Sequence, residues 1–198
     1  MALEHALREV LMDVAEECIR HRLETGSECV VDVAGFPSEL RQPRATFVTL
    51  NIGGRLRGCI GSLQAARPWV ADVAANAQAA AFHDPRFPPL DGREFAALDL
   101  HISTLSPPES MEVSSERDLL AQIRPGVDGL IIEDGGRRGT FLPSVWAQIP
   151  EKQDFLDHLR AKAGMPRGHW SPGFKALRYT TESWERDATS RRRRGGGT

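Results

Sequence analysis

The hairpin that decides the fold lies at residues 45–63, which read ATFVTLNIGGRLRGCIGSL. Two runs of alternating apolar and polar residues flank Gly53-Gly54, a pattern typical of a β-hairpin. A two-residue loop would pair Leu50 with Arg57, whereas a three-residue loop would pair Leu50 with Leu56. We predict the three-residue loop, because it separates an apolar face from a polar one. The polar face would then carry Phe47, Thr49, Asn51, Arg55, Arg57 and Cys59.

The sequence around this hairpin predicts a mixture of helices and strands. An apolar repeat with helical spacing runs from Leu3 to Cys18 and ends at Gly26, and an alanine-rich helix is expected over residues 68–82. Strands are predicted at residues 99–105 and 176–181, a second hairpin at residues 130–142, and helices at residues 115–123 and 152–163. This mixture indicates an α+β fold with a largely antiparallel sheet packed with helices.

The composition excludes several classes of protein. The 198 residues are 40% hydrophobic, which suits a globular chain. The longest apolar-rich stretch, residues 69–82, is too short to span a bilayer. Without Arg191–Arg194, the chain has 21 basic and 27 acidic residues, which argues against a broad nucleic-acid surface. Residues 187–198 are expected to be a disordered basic tail.

The cysteines and histidines form no metal-binding or disulfide pattern. Cys18, Cys29 and Cys59 include no CxxC pair, and the six histidines include no HxxxH or HxH motif. Cys18 lies on the apolar stripe of the first helix and is expected to be buried and inert. No cofactor motif is present, so no cofactor is expected. A reducing cytoplasm is the expected compartment.

The most unusual stretch is the one around Cys59. Gly58 and Gly61 flank this cysteine within a strand, where glycine often marks a close approach by a ligand or another backbone. Arg57 would lower the pKa of a neighbouring thiol and favour the nucleophilic thiolate. Two interpretations stay open: a pocket with a reactive thiol and anion-binding arginines, or a tightly packed strand with an inert cysteine.

Three other segments carry candidate site residues. Asp84 and Arg86 lie in a proline-stiffened loop and would form either a clamp for a carboxylate or phosphate, or a salt bridge that locks the loop. His101 would be a base for Cys59 if its strand neighbours the Cys59 strand. His169, in a loop rich in glycine and proline, is a rival for this role.

The hexapeptide Leu56-Arg57-Gly58-Cys59-Ile60-Gly61 resembles the signature of the AMMECR domain family, whose prokaryotic members are called AmmeMemoRadiSam system protein A. One matching block, residues 47–50 (FVTL), precedes this signature, and others follow it in order at residues 80–90 (AAFHDPRFPPL), 102–109 (ISTLSPPE), 126–130 (GVDGL), 141–146 (FLPSVW), 155–159 (FLDHL) and 162–164 (KAG). The resemblance covers residues 3–186. It departs from the family pattern at Asp128 and Ser144, and His83 lies at a variable position.

The resemblance implies one α+β domain over residues 1–186, with a larger and a smaller subdomain and a cleft between them. It implies a component of a small-molecule metabolism or modification system that acts with a radical SAM protein and a Memo-like protein. In such an enzyme Cys59 would be the nucleophile or thiol carrier, and Asp84 an orienter or an acid/base. The alternative is a non-catalytic module that binds a ligand or a protein.

The hairpin pattern and the family resemblance together predict one concave site that opens to solvent between the two subdomains. Cys59, Arg57, Asp84 and Arg86 would border it, and the two arginines imply a small anionic ligand. The predicted ligand-binding residues are Thr49, Arg57, Gly58, Gly61 and Arg86.

Overall fold

The structure is a computed structural model that describes residues 5–190. In chain order its helices and strands are α1 (His5–Thr25), β1 (Thr46–Ile52), β2 (Arg55–Gly61), α2 (Trp69–Phe82), α3 (Gly92–Phe95), β3 (Leu98–Leu105), β4 (Glu109–Ser110), α4 (Glu116–Gln122), β5 (Gly129–Asp134), β6 (Arg137–Phe141), α5 (Lys152–Lys162), β7 (Lys175–Tyr179) and β8 (Thr181–Arg186). Leu3 and the arginine run at 191–194 lie outside the described residues. The predicted α+β class is confirmed.

The described chain divides into two units, and the first is the larger. It comprises residues 5–105 and 182–190, while the second comprises Ser106–Thr181. The first unit contains a sheet of order β2-β1-β3-β8, and the second contains a sheet of order β4-β7-β5-β6. Each unit has its own hydrophobic core.

In the first unit, helix α2 packs on β1 and β2, and α1 packs against α2. The buried strand residues Val48, Leu50, Leu100 and Ile102 join the helices in one core. Because side chains alternate along a strand, Thr49 and His101 lie on the other face of the sheet. That outer face carries Thr49, Asn51 and Cys59 of the predicted polar face, whereas Arg55 pairs with Ile52 and Arg57 is buried.

The register of the first hairpin differs from the prediction. Gly53 and Gly54 form a two-residue loop in which both residues have positive φ, 56° and 74°, as the tightest hairpin turns require. Ile52 then pairs with Arg55, but Leu50 pairs with Gly58, so Arg57 is the additional residue of a β-bulge. The predicted three-residue loop was therefore wrong.

In the second unit, the hairpin β5–β6 turns at Gly135-Gly136, again with both residues at positive φ. The core behind it centres on Phe155, whose ring stacks on Trp146 with centroids 3.7 Å apart. The strand predicted at residues 176–181 is present as β7, but it ends at Tyr179 and is not the last strand. The chain forms β7 there, leaves the strand at Thr180, and begins β8, which pairs in the other sheet.

Two glycines of β2 are required by packing. A Cβ on Gly58 would lie 2.1 Å from the carbonyl oxygen of Ala80, near the end of α2. A Cβ on Gly61 would lie 2.3 Å from the Phe47 ring and 2.6 Å from the carbonyl oxygen of Thr46. The predicted close approach is real, but protein atoms make it. The packing alone accounts for both glycines, and their assignment to ligand binding stays a prediction.

We expect Gly58→Ala to destabilise the first unit, because the new methyl group meets backbone that cannot move without shifting α2. Overpacking of this kind costs about 1–3 kcal/mol in unfolding free energy. Chemical denaturation monitored by circular dichroism would measure the loss. Gly92→Ala is the matched control, since no heavy atom lies within 4 Å of the Cβ that it adds. Equal stability of the two variants would contradict the packing role of Gly58.

Candidate functional site

Cys59 lies on β2, an edge strand of the first sheet, directly opposite Thr49. Cys59 is half-buried, and the Thr49 hydroxyl donates a hydrogen bond to the Cys59 Sγ at 3.1 Å. The backbone N–H and carbonyl of Cys59 form their hydrogen bonds with Asp84 and Arg86 and not with β1. Thr49 and Cys59 are therefore a non-hydrogen-bonded pair of the two strands, the type in which opposite side chains lie closest together. The predicted grouping of Thr49 and Cys59 on one face is therefore present.

Asp84 and Arg86 clamp the backbone of Cys59. One carboxylate oxygen of Asp84, Oδ2, accepts from the Cys59 N–H at 2.9 Å, and Arg86 Nη2 donates to the Cys59 carbonyl at 3.3 Å. The same guanidinium donates to Asp84 through Nε at 2.9 Å and Nη2 at 2.6 Å. These side chains thus make the bonds that a neighbouring strand would make at the free edge of β2.

The electrostatics of Asp84 fit an orienting role. Hydrogen bonds from Arg86, and then from the Cys59 and Arg86 backbone, hold the pKa of this carboxyl well below its usual value, although burial opposes the shift. Asp84 is therefore ionised at neutral pH. Of the two predicted roles, orienter and acid/base, the geometry favours the orienter.

Arg57 is committed to the protein interior. Its Nε and Nη2 donate to the two carboxylate oxygens of Glu94 at 2.7 and 2.8 Å, and Nη2 also donates to the Pro88 carbonyl. Only 8% of the residue is exposed. Since its guanidinium joins the bulge to α3, the expected role of Arg57 as an anion clamp is corrected to that of a structural salt bridge.

Of the two candidate histidines, His101 lies on β3, and β1 separates it from the Cys59 strand. Its ring pairs with Glu185 of β8. The condition on which His101 would be a base, adjacent strands, is therefore not met. His169 belongs to the second unit, where its Nε2 bonds to Asp134 at 2.5 Å.

The sequence interpretation missed residues that complete the site. Glu94, the partner of Arg57, also forms a capping box with Asp91 at the start of α3. The spacing of an aspartate followed three residues later by a glutamate signals such a box. Phe87 lies near the guanidinium groups of Arg57 and Arg86, with centroid distances of 5.7 and 5.6 Å. No local sequence pattern indicates that contact.

Within residues 5–190, no group of three His, Cys, Asp or Glu side chains is arranged to hold a metal ion. In the same range, no helix combines the length and the apolar character that crossing a membrane requires.

Comparisons with known proteins agree with the family that the sequence resembles. The AMMECR1 family model matches residues 12–184. This chain belongs to the AMMECR1 family. A relative from Methanothermobacter thermautotrophicus is 37% identical, with 89% of this chain and 93% of the relative covered. Protein MJ0810 of Methanocaldococcus jannaschii is 35% identical, with 81% of each chain covered.

A solved structure shares the fold. The crystal structure of PH0010, an uncharacterised protein from Pyrococcus horikoshii, matches with a TM-score of 0.75 and 35% sequence identity. The match covers 89% of this chain and 90% of that one. The architecture described above is therefore shared with a solved protein of similar length.

We expect Asp84→Asn to destabilise the protein at neutral pH by about 1.5–3 kcal/mol, the usual worth of hydrogen bonds to a charged group. Because folding lowers the pKa of Asp84, its contribution is fully present above the ordinary value near 3.8 and declines as the pH falls below it. The stability gap between wild type and variant should therefore narrow below about pH 4. Urea denaturation from pH 7 to pH 3 would measure the gap.

Glu24→Gln, which removes one exposed negative charge from α1, is the control for the Asp84 experiment. Its stability should follow that of the wild type across the pH range. A constant gap between wild type and Asp84→Asn would contradict the role of the ionised carboxylate.

We expect His101→Gln to leave the rate of Cys59 alkylation within about twofold of the wild-type rate, since strand spacing places the two residues roughly 10 Å apart. Thr49→Val should change that rate, because it removes the hydroxyl that bonds to Sγ. Alkylation followed by peptide mass spectrometry would give both rates. A large loss in His101→Gln would restore the histidine as a base.

Proposed function

We propose that this protein is a thiol-dependent component of a cytoplasmic system that modifies small molecules. The observation that carries the proposal is the half-exposed Cys59 thiol, which accepts a hydrogen bond from Thr49 on a strand whose backbone is clamped by Asp84 and Arg86. The thiolate is the nucleophilic form of cysteine, and a hydroxyl donor is a partner that a sulfur anion can use. Cys59 is thus the attachment point for the ligand.

The surroundings of the thiol favour attachment over self-sufficient turnover. The Asp84 carboxylate is engaged with the Cys59 backbone N–H, and His101 is engaged with Glu185. We assign the remaining chemistry to partner proteins. The family resemblance supplies their kinds, a radical SAM protein and a Memo-like protein, in agreement with the lack of a cofactor motif in the sequence.

Arg86 is the cation that an anionic ligand would meet. Its side chain is 53% exposed and lies beside the Cys59 carbonyl, whereas the guanidinium of Arg57 is committed to Glu94. A ligand attached at Sγ would place a carboxylate or phosphate within reach of Arg86. The proposed ligand is therefore a small molecule with one anionic group.

A second candidate is a non-catalytic binding or regulatory module. The two salt bridges Arg57–Glu94 and Arg86–Asp84 favour it, because they tie down both predicted anion clamps within the protein. Under this candidate the face around Cys59 would bind its ligand or partner without use of the thiol. The two functions therefore differ in what Cys59→Ser does.

We expect thiol reagents to modify Cys59 in the native protein well before Cys18, since burial raises the pKa of the Cys18 thiol. After incubation with cell extract, wild-type protein should carry a mass-shifted adduct on Cys59, and Cys59→Ser should lack it. Cys29→Ser removes the other half-buried cysteine and is the matched control that should keep the adduct.

Labelling of Cys18 as fast as that of Cys59 would contradict the proposed function. Intact biological activity of Cys59→Ser in a complementation assay would favour the non-catalytic module.

A further inference from the structure

The outer face of the first sheet carries a row of four side chains that starts at Cys59. Thr49 lies directly opposite Cys59 on β2 and directly opposite His101 on β3. The ring of His101 in turn bonds through Nε2 to the carboxylate of Glu185 on β8. The row therefore crosses β2, β1, β3 and β8, from one edge of the sheet to the other.

A second side-chain bond on this face supports the position of Glu185. It joins the hydroxyl groups of Ser103 and Ser183 at 2.8 Å. Ser103 lies two positions after His101, and Ser183 lies two positions before Glu185. Opposite steps of two keep residues on the same face and across from each other in antiparallel strands. Both bonds therefore belong to one register, which holds Glu185 at the β8 end of the row.

The row is long and open at its far end. Neighbouring strands lie about 4.8 Å apart, so the strand of Glu185 runs roughly 14 Å from the strand of Cys59. The side chain of Glu185 is 69% exposed and that of His101 is 38% exposed. A solute can therefore contact hydrogen-bonding groups well beyond the thiol.

The two ends of the row offer opposite charges. At the β2 edge, the exposed guanidinium of Arg86 lies beside the Cys59 carbonyl. At the β8 edge, Glu185 offers a carboxylate that bonds to His101 through Oε2, which leaves Oε1 for a second donor. A carboxylate binds an ammonium group through charge-assisted hydrogen bonds and repels another anion.

We propose that the ligand attached at Cys59 is elongated and carries an amino group at its far end, where it binds Glu185. Its anionic group would meet Arg86 near the point of attachment, and the chain between them would lie over Thr49 and His101. This inference rests on the proposed function of Cys59 and adds the class of ligand. That class is a molecule whose anionic and cationic groups stand roughly 10 Å or more apart.

The test labels the full chain with amides of iodoacetic acid, in which the Cys59 sulfur forms a bond to the methylene carbon as iodide leaves. The aminooctyl amide can bring an ammonium group to Glu185, and the hydroxyoctyl amide is its uncharged match. At low salt the aminooctyl amide should label Cys59 about two- to fivefold faster, the effect of one exposed ion pair. The aminoethyl amide, too short to reach Glu185, should show no such gain over the hydroxyethyl amide. Peptide mass spectrometry would give the rates.

Two variants decide whether Glu185 causes the preference. Glu185→Gln should remove it, whereas Glu24→Gln, which takes the same charge from an exposed position on α1, should keep it. Equal rates for the two octyl amides in the wild type, or a preference that survives Glu185→Gln, would overturn the inference.

Plain iodoacetamide separates this inference from the proposed function. It should label Cys59 at the same rate in the wild type and in both variants, which also shows that the site is intact. Normal labelling without a preference for the ammonium group would overturn the elongated ligand alone. A Cys59 thiol that iodoacetamide does not label would overturn the proposed function and this inference with it.

Discussion

The close contact between helix α2 and strand β2 at Gly58 is the constraint on which the Cys59 site depends. Because Gly58 has no side chain, the carbonyl of Ala80 can lie where a Cβ would otherwise be. The helix ends two residues later, at Phe82, and Asp84 follows directly beside the edge of β2. A larger residue at position 58 would push the end of α2 away and take the Asp84 carboxylate with it.

Asp84 and Arg86 both bond the free edge of β2 and fix the backbone of Cys59. The free edge of a sheet exposes backbone groups that attract other strands, and here one N–H and one carbonyl of that edge are bonded. The same bonds fix the backbone from which the Cys59 thiol projects. Since Asp84 is nearly fully buried, its charge persists only through these hydrogen bonds. Removal of Arg86 would therefore cost more than the loss of a surface ion pair.

Strand alternation and helical spacing predicted the elements and the outer-face position of Thr49 and Cys59. Alternation could not reveal the bulge at Arg57, because the additional residue shifts the pairing by one position only over the two residues between the bulge and the turn. The glycines of β2 indicated that another group approaches the strand closely, but not which group it is. Gly58 contacts a helix that begins eleven residues later in the sequence, and no local pattern indicates that contact.

Charge around Cys59 is balanced in pairs, and this balance limits how a ligand can be selected. Arg57 offsets Glu94, and Arg86 offsets Asp84, so the cluster carries no net charge at neutral pH. A balanced cluster exerts little long-range attraction on an anion. The planar guanidinium of Arg86 still offers directed donors at contact distance. A ligand would therefore be selected by its contacts with the thiol, the Thr49 hydroxyl and Arg86 once it has reached the site, rather than by electrostatic steering toward the site.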